Sequence, residues 1–253
     1  MLRRRIIPFL LIDDNCDCIK TINFSSRIYL GDILNNIRIF NEKNVDEIVI
    51  LDIDASKKLY EPKIKLIKDI ASVCRMPVTY GGGVKNVDMA KKIISCGVEK
   101  ICLNTSVLEN PNLIKEISQE IGSQSLSVSI NFRKINEKYY HVNNDGLIID
   151  KKNLIDFILE IQNLGSGEII FNSYDNDGKM TGYDSNFLNS IKNYIFIPSI
   201  IVGGCSSHED IKKLFIDYQN IAAGCSSIFM FKGKLKAVLM NYPSIEEKKY
   251  IYD

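Results

Sequence analysis

Met76-Pro77-Val78-Thr79-Tyr80-Gly81-Gly82-Gly83 and Ile197-Pro198-Ser199-Ile200-Ile201-Val202-Gly203-Gly204 decide the fold of this chain. Each is an apolar run led by proline and closed by glycines, and the two stand 121 residues apart. The same offset relates Glu47-Ile48-Val49-Ile50 to Glu168-Ile169-Ile170-Phe171, Asp54 to Asp175, and Thr105 to Ser226. One offset shared by separate segments marks a duplication, each copy about half the chain. Two half-units of four strand–helix pairs close into one eight-stranded α/β barrel, a (β/α)8 TIM barrel of two half-barrels. Such a barrel takes about 250 residues, and the chain has 253. No low-complexity linker interrupts it, so residues 1–253 are expected to form a single barrel domain.

Bulk composition narrows the function. Lys and Arg number 32 against 31 Asp and Glu, so no global field favours nucleic acid or an anionic membrane. The seven cysteines are odd in number and several sit in apolar runs, which predicts reduced, buried thiols in a cytoplasmic protein rather than a disulfide framework. Cys16-Asp17-Cys18 has no second Cys/His pair, so neither a metal site nor another cofactor is expected. No run approaches the roughly 18 apolar residues of a membrane span. The opening Met1-Leu2-Arg3-Arg4-Arg5-Ile6-Ile7-Pro8 has no signal-peptide apolar region.

Short apolar runs alternate with amphipathic stretches, the pattern of parallel strands and their covering helices. The expected strands are 5–12, 47–52, 77–80, 99–103, 126–131, 168–172, 198–202 and 221–225. The expected helices are 31–44, 60–74, 86–96, 111–121, 152–164, 185–193, 208–217 and 229–240. An open doubly wound sheet is the alternative; the duplication and the count of eight favour the closed barrel.

In such barrels chemistry sits at the C-terminal ends of the strands. Gly82-Gly83 and Gly203-Gly204 each lie between a strand and a helix, where backbone N–H groups and a helix N-terminus favour an anion. Asn104-Thr105 and Ser226-Ser227 end the next strand of each half and can donate to the same anion. Two phosphate sites on opposite sides of the mouth suit an elongated bisphosphorylated small molecule. Asp177 and Gly178 lie near the second site; Asp177 either orients the ligand or caps its own loop. His141 is read as a histidine on a surface hairpin.

Over nearly its full length the chain resembles the cyclase subunit of imidazole glycerol phosphate synthase. The matching stretches are Arg5-Ile6-Ile7-Pro8, Leu51 to Ser56, Gly81 to Val84, Val98-Glu99-Lys100, Asn104-Thr105, Gly122-Ser123-Gln124, Gly167-Glu168, Asp175 to Gly178, Gly182-Tyr183-Asp184 and Gly203-Gly204. The resemblance implies a glutaminase subunit docked at the N-terminal face, with ammonia passing through the barrel. It implies a gate of Arg5, Glu47, Lys100 and Glu168, a loop lysine at Lys20, and Glu99 at the partner interface. The cyclase chemistry needs two aspartates as general acid and base. Their positions hold Leu11 and Asn131 here, and neither side chain can exchange a proton usefully. Asp13 and Asp14, in what is expected to be a mobile loop, are the available substitutes. Val202 stands where the cyclases carry a serine.

A second branch of the family reads Pro-x-Leu-Leu and Tyr-Gly-Gly-Gly, as Pro8-Phe9-Leu10-Leu11 and Tyr80-Gly81-Gly82-Gly83 do. That branch resembles the barrel subunits of sugar-modifying amidotransferases, which turn an acetamido group into an acetamidino group on a bacterial surface sugar. The implied task is to supply ammonia to an ATP-dependent sugar amidotransferase. The alternative is a working cyclase of histidine biosynthesis, a lyase with altered acid and base. A third possibility is a structural activator of the glutaminase.

Overall fold

The computed structural model describes residues 4–149, 152–233 and 235–253. Eight strands run parallel: β1 (Ile6–Ile12), β2 (Ile48–Asp52), β3 (Val78–Gly81), β4 (Lys100–Leu103), β5 (Leu126–Ile135), β6 (Glu168–Ser173), β7 (Ser199–Val202) and β8 (Ile221–Cys225). Each pairs with its sequence neighbour, and β8 returns to β1 through Ile6↔Ala223, Ile7↔Gly224 and Pro8↔Cys225. The sheet is therefore a closed (β/α)8 barrel with no free edge among its eight strands.

Alternation along the strands separates two cores. Ile7, Phe9, Val49, Cys102, Ile170, Ile200, Val202 and Ala222 fill the interior. Residues of the other parity, such as Ile6, Ile48, Ile101 and Ile201, pack outward against the helices.

The duplication is visible in backbone geometry. Pro77 and Pro198, which start the two decisive runs, each accept from a neighbouring strand: Ile48 N at 2.9 Å and Ile169 N at 3.0 Å. The helices Val87–Ile94 and His208–Asp217 are capped by Asn86 (φ −154°, ψ 171°) and Ser207 (φ −153°, ψ 164°). Asn104 (φ −141°, ψ −84°) and Ser226 (φ −131°, ψ −79°) open short helices after β4 and β8. Both side-chain caps accept from the third residue of their helix, the usual role of Asn and Ser there.

Two expectations are corrected. The stretch after β8 is not a helix over 229–240: a short helix, Ser227–Met230, gives way to a two-stranded ribbon, Phe231–Lys232 with Ala237–Val238. Gly233 (φ 74°) and Lys236 (φ 50°) turn that ribbon with left-handed backbone, which a helix cannot carry. The last covering helix is Ile245–Tyr252, begun by a Ser244/Glu247 capping box.

The connection after β1, expected as a mobile loop, is an antiparallel hairpin, Asp17–Ile22 with Ser26–Asp32. Asn23 (φ 51°) and Phe24 (φ 59°) make its tip. The connection is three residues long, Asn23 to Ser25, and is closed by Ser25 N donating to Ile22 O at 3.1 Å.

Candidate functional site

Four charged side chains meet at the start of the strands. Arg5 precedes β1, Glu47 precedes β2, Lys100 opens β4 and Glu168 opens β6. Arg5 reaches Glu47 at 2.6 Å and Glu168 at 2.5 Å; Lys100 reaches Glu47 at 2.9 Å and Glu168 at 3.1 Å. The result is a closed ring of alternating charge across the barrel floor. Thr79 Oγ1 adds a hydrogen bond to Glu47 at 3.1 Å, and Ser127 Oγ one to Glu168 at 3.2 Å. Burial pushes the Glu168 carboxyl up, but Arg5 and Lys100 outweigh it and hold it below the ordinary value. Glu99, beside the ring, is exposed; one of its oxygens accepts from Val78 N at 2.7 Å.

At the opposite end the strands open into a cavity of about 150 Å³. Gly82, Gly83, Asn104, Thr105, Asp177 and Ser226 line it, as do Leu11, Lys20, Asn131 and Val202. Gly178, Gly203, Gly204 and Ser227 do not. The residues expected around the first anion turn thus gather at the mouth, and those of the second gather only in part.

Both turns pack closely against protein. Gly82 (φ +126°) passes so close to β2 that a Cβ would lie 2.5 Å from Asp52 O, which only glycine permits. Gly204 packs instead against Gly182, whose N–H donates to Gly204 O at 2.8 Å. Its own turn is filled by protein.

The hairpin is tied over the mouth by Asp177. That carboxylate accepts from Lys20 Nζ at 2.6 Å, Thr21 Oγ1 at 2.9 Å and Phe24 N at 3.3 Å. The Phe24 and Tyr174 rings stack at 4.7 Å. Arg27 closes the other side with two bonds to Asp54, at 2.5 and 2.7 Å. This pairing, ahead of the opposing desolvation, lowers the Asp54 carboxyl to about 2.

Asp13 and Asp14 belong to the turn below the hairpin and do not line the cavity. Asp13 Oδ1 accepts from Asn15 N at 2.9 Å and Asp17 N at 3.0 Å, and the Asp14 carboxylate pairs with Lys58. Asp52 does line the cavity; burial raises its carboxyl, while Tyr60 donates to it at 2.7 Å.

Asn131 belongs to a chain of amides that sequence reasoning missed. Asn172 Nδ2 donates to Asn131 Oδ1 at 3.2 Å, Asn131 Nδ2 to Asn144 Oδ1 at 2.8 Å, and Asn144 Nδ2 to Thr105 Oγ1 at 3.3 Å. Period-two spacing from Glu168 through Ile170 places Asn172 on the inner face of β6, a usable signal. Nothing in the sequence pointed to Asn144, which reaches the mouth only because the hairpin after β5 folds back.

His141 is a correction. It is 3% exposed, with its ring 4.6 Å from Phe157, and is not a surface histidine. Burial lowers it to about 4. All seven cysteines are free; Cys18, Cys102, Cys205 and Cys225 are buried and the other three half-buried. Among the described residues no helix is long and apolar enough to cross a membrane.

The family model described as histidine biosynthesis protein matches residues 5–236. A protein of Leptospira borgpetersenii, provisionally named an imidazole glycerol phosphate synthase subunit, is 44% identical over 254 residues, covering 100% of both chains. A provisionally named counterpart in Vibrio vulnificus is 43% identical, covering 98% of this chain and 96% of its own. In Chlorobium phaeovibrioides a protein carrying that name without qualification is 33% identical, covering 100% and 97%.

Proposed function

We propose that this chain, which belongs to the histidine biosynthesis protein family, is the ammonia-conducting barrel subunit of a cytoplasmic glutamine amidotransferase. A glutaminase docks on the barrel floor beside Glu99. Ammonia enters through the ring of Arg5, Glu47, Lys100 and Glu168, and leaves at the mouth for an ATP-dependent enzyme that amidinates a bacterial surface sugar.

One observation carries the reading. An intact four-charge ring leads into a barrel whose acid and base positions hold Leu11 and Asn131. The ring suits a gate because each charge is satisfied by two neighbours, so parting one contact does not strand a charge. The mouth does not suit ring closure, since leucine has no proton to give and a carboxamide is neither a useful acid nor a base. The word subunit in the names of the relatives supports a partner chain. The first glycine turn, with Thr105 and Ser226, is suited to a phosphorylated group at the mouth.

The second reading, a cyclase of histidine biosynthesis, is favoured by the names of the relatives. It requires an acid and a base where Leu11 and Asn131 stand; Asp52 and Asp177 line the cavity, but Asp52 takes a hydrogen bond from Tyr60 and Asp177 is held by Lys20 and Thr21. Asp13 and Asp14 are already committed to the turn and to Lys58.

Complementation separates the two. Expressed with its glutaminase in a histidine auxotroph lacking the cyclase, this chain is expected not to restore growth without histidine. Growth would overturn the proposal in favour of the cyclase.

A further inference from the structure

A second cavity, of about 120 Å³, has no lining residue in common with the mouth. None of the eight barrel strands contributes to it. Leu108 of the short helix Thr105–Glu109, Pro111, Ile149, and Phe157 of the helix Leu154–Asn163 give it apolar walls. His141, on the strand Lys138–Val142, and Glu160, on the same helix as Phe157, complete it.

Those last two residues each hold a polar atom in reserve. His141 Nε2 and Glu160 Oε2 are both buried, and among the described residues neither has a hydrogen-bond partner. Glu160 uses its other oxygen to accept from Lys152 Nζ. Burial keeps the His141 ring neutral, so Nε2 either donates or accepts one hydrogen bond. A buried polar atom left unpaired is costly, and here two such atoms from different elements belong to the walls of one cavity.

Water alone is a poor occupant. One water needs only roughly 10–15 Å³ of such volume but two or more polar partners, so a cavity this large would hold several waters that two polar atoms cannot satisfy. An anion would meet the Glu160 carboxylate, and a cation would have to displace Lys152. An apolar cavity of ~150 Å³ takes up benzene, which sets the size of a fitting ligand. We propose that this cavity is a second ligand site, for a small uncharged alcohol or phenol. The apolar body of the ligand fills the walls, and its hydroxyl donates to Glu160 Oε2 and accepts from His141 Nε2. The site stands behind the mouth: the helix that brings Leu108 to it begins with Thr105, and the hairpin that brings His141 to it leads on to Asn144, both of which line the mouth.

The test uses the full chain with carbon-13-labelled histidine and phenol as the probe. The chain has two histidines, His141 and His208, so NMR shows two ring signals, and His208→Asn, at a half-buried helix start, assigns them by the loss of one. Phenol should move the His141 signal saturably and leave the His208 signal in place. Benzene, the same ring without the hydroxyl, should bind at least about fivefold more weakly. Glu160→Gln should weaken phenol by about fivefold, because a charged acceptor holds a hydroxyl more strongly than a neutral one. The Glu160 side chain is 25% exposed, so this variant should fold. No saturable shift of His141, or equal shifts of both histidines, would overturn the inference and leave the cavity to water. Benzene binding as tightly as phenol, or unchanged phenol binding in Glu160→Gln, would overturn it as well.

Discussion

Lys100→Trp is expected to cut glutamine-dependent product formation at least tenfold while product made from added ammonium chloride persists. Lys100 closes one side of the floor ring, bridging Glu47 and Glu168 at 2.9 and 3.1 Å. An indole there keeps the strand start occupied and fills the centre of the ring. Ammonia released by the glutaminase would then reach the acceptor only by way of solvent. The advantage of direct delivery, an effective concentration in the range of ~mM, would be lost. The check is a pair of rates on one preparation, one with glutamine and one with ammonium chloride. An equal fall in both would mean a damaged barrel. No fall in either would mean that ammonia does not cross the floor.

Glu168→Leu should destabilise the protein by about 3–5 kcal/mol, the usual effect of removing one partner from a buried ion pair. Glu168 is 4% exposed and takes Arg5, Lys100 and Ser127 together. Leucine leaves both cations to share Glu47. The effect has a pH signature. Arg5 and Lys100 hold the folded carboxyl below its ordinary value, so its stabilisation is fully present above that ordinary value and is lost as pH falls through the folded pKa. The deficit of the variant should therefore shrink in acid. Urea denaturation at neutral pH and at a pH below the carboxylate range would measure both effects.

Much of this was legible in the sequence, for identifiable reasons. The strands were readable because a parallel barrel buries them on both faces, leaving continuous apolar runs between glycine turns. The ring could be named only through the resemblance to the cyclase family; of its four members only Glu47 and Glu168 stand at equivalent positions of the two halves. The hairpin after β1 was not legible, since Asn23 and Phe24 are not the Asn-Gly or Gly-led turn that announces one. The last helix was misplaced because Phe229, Met230, Met240 and Tyr242 are all buried, yet the first two end a four-residue helix and the last two lie on the loop beyond the ribbon rather than on one helix face. His141 read as exposed because its hairpin ends in polar residues, whereas its ring packs on Phe157 of the helix Leu154–Asn163. At the mouth, individual candidates could be named, but their partners could not. Arg27 with Asp54, and Asn144 with Asn131, meet only because loops distant in sequence fold over the same opening.

The central claim is that this barrel conducts ammonia and no longer closes an imidazole ring. The most direct measurement uses the co-expressed glutaminase with and without this chain. Glutamine hydrolysis is followed alongside imidazole glycerol phosphate formation from the ribulosyl nucleotide and ammonium chloride. The account predicts that hydrolysis rises when the barrel is present and that no imidazole product forms. Imidazole product would contradict it, and would make Asp13 and Asp14 the first residues to replace.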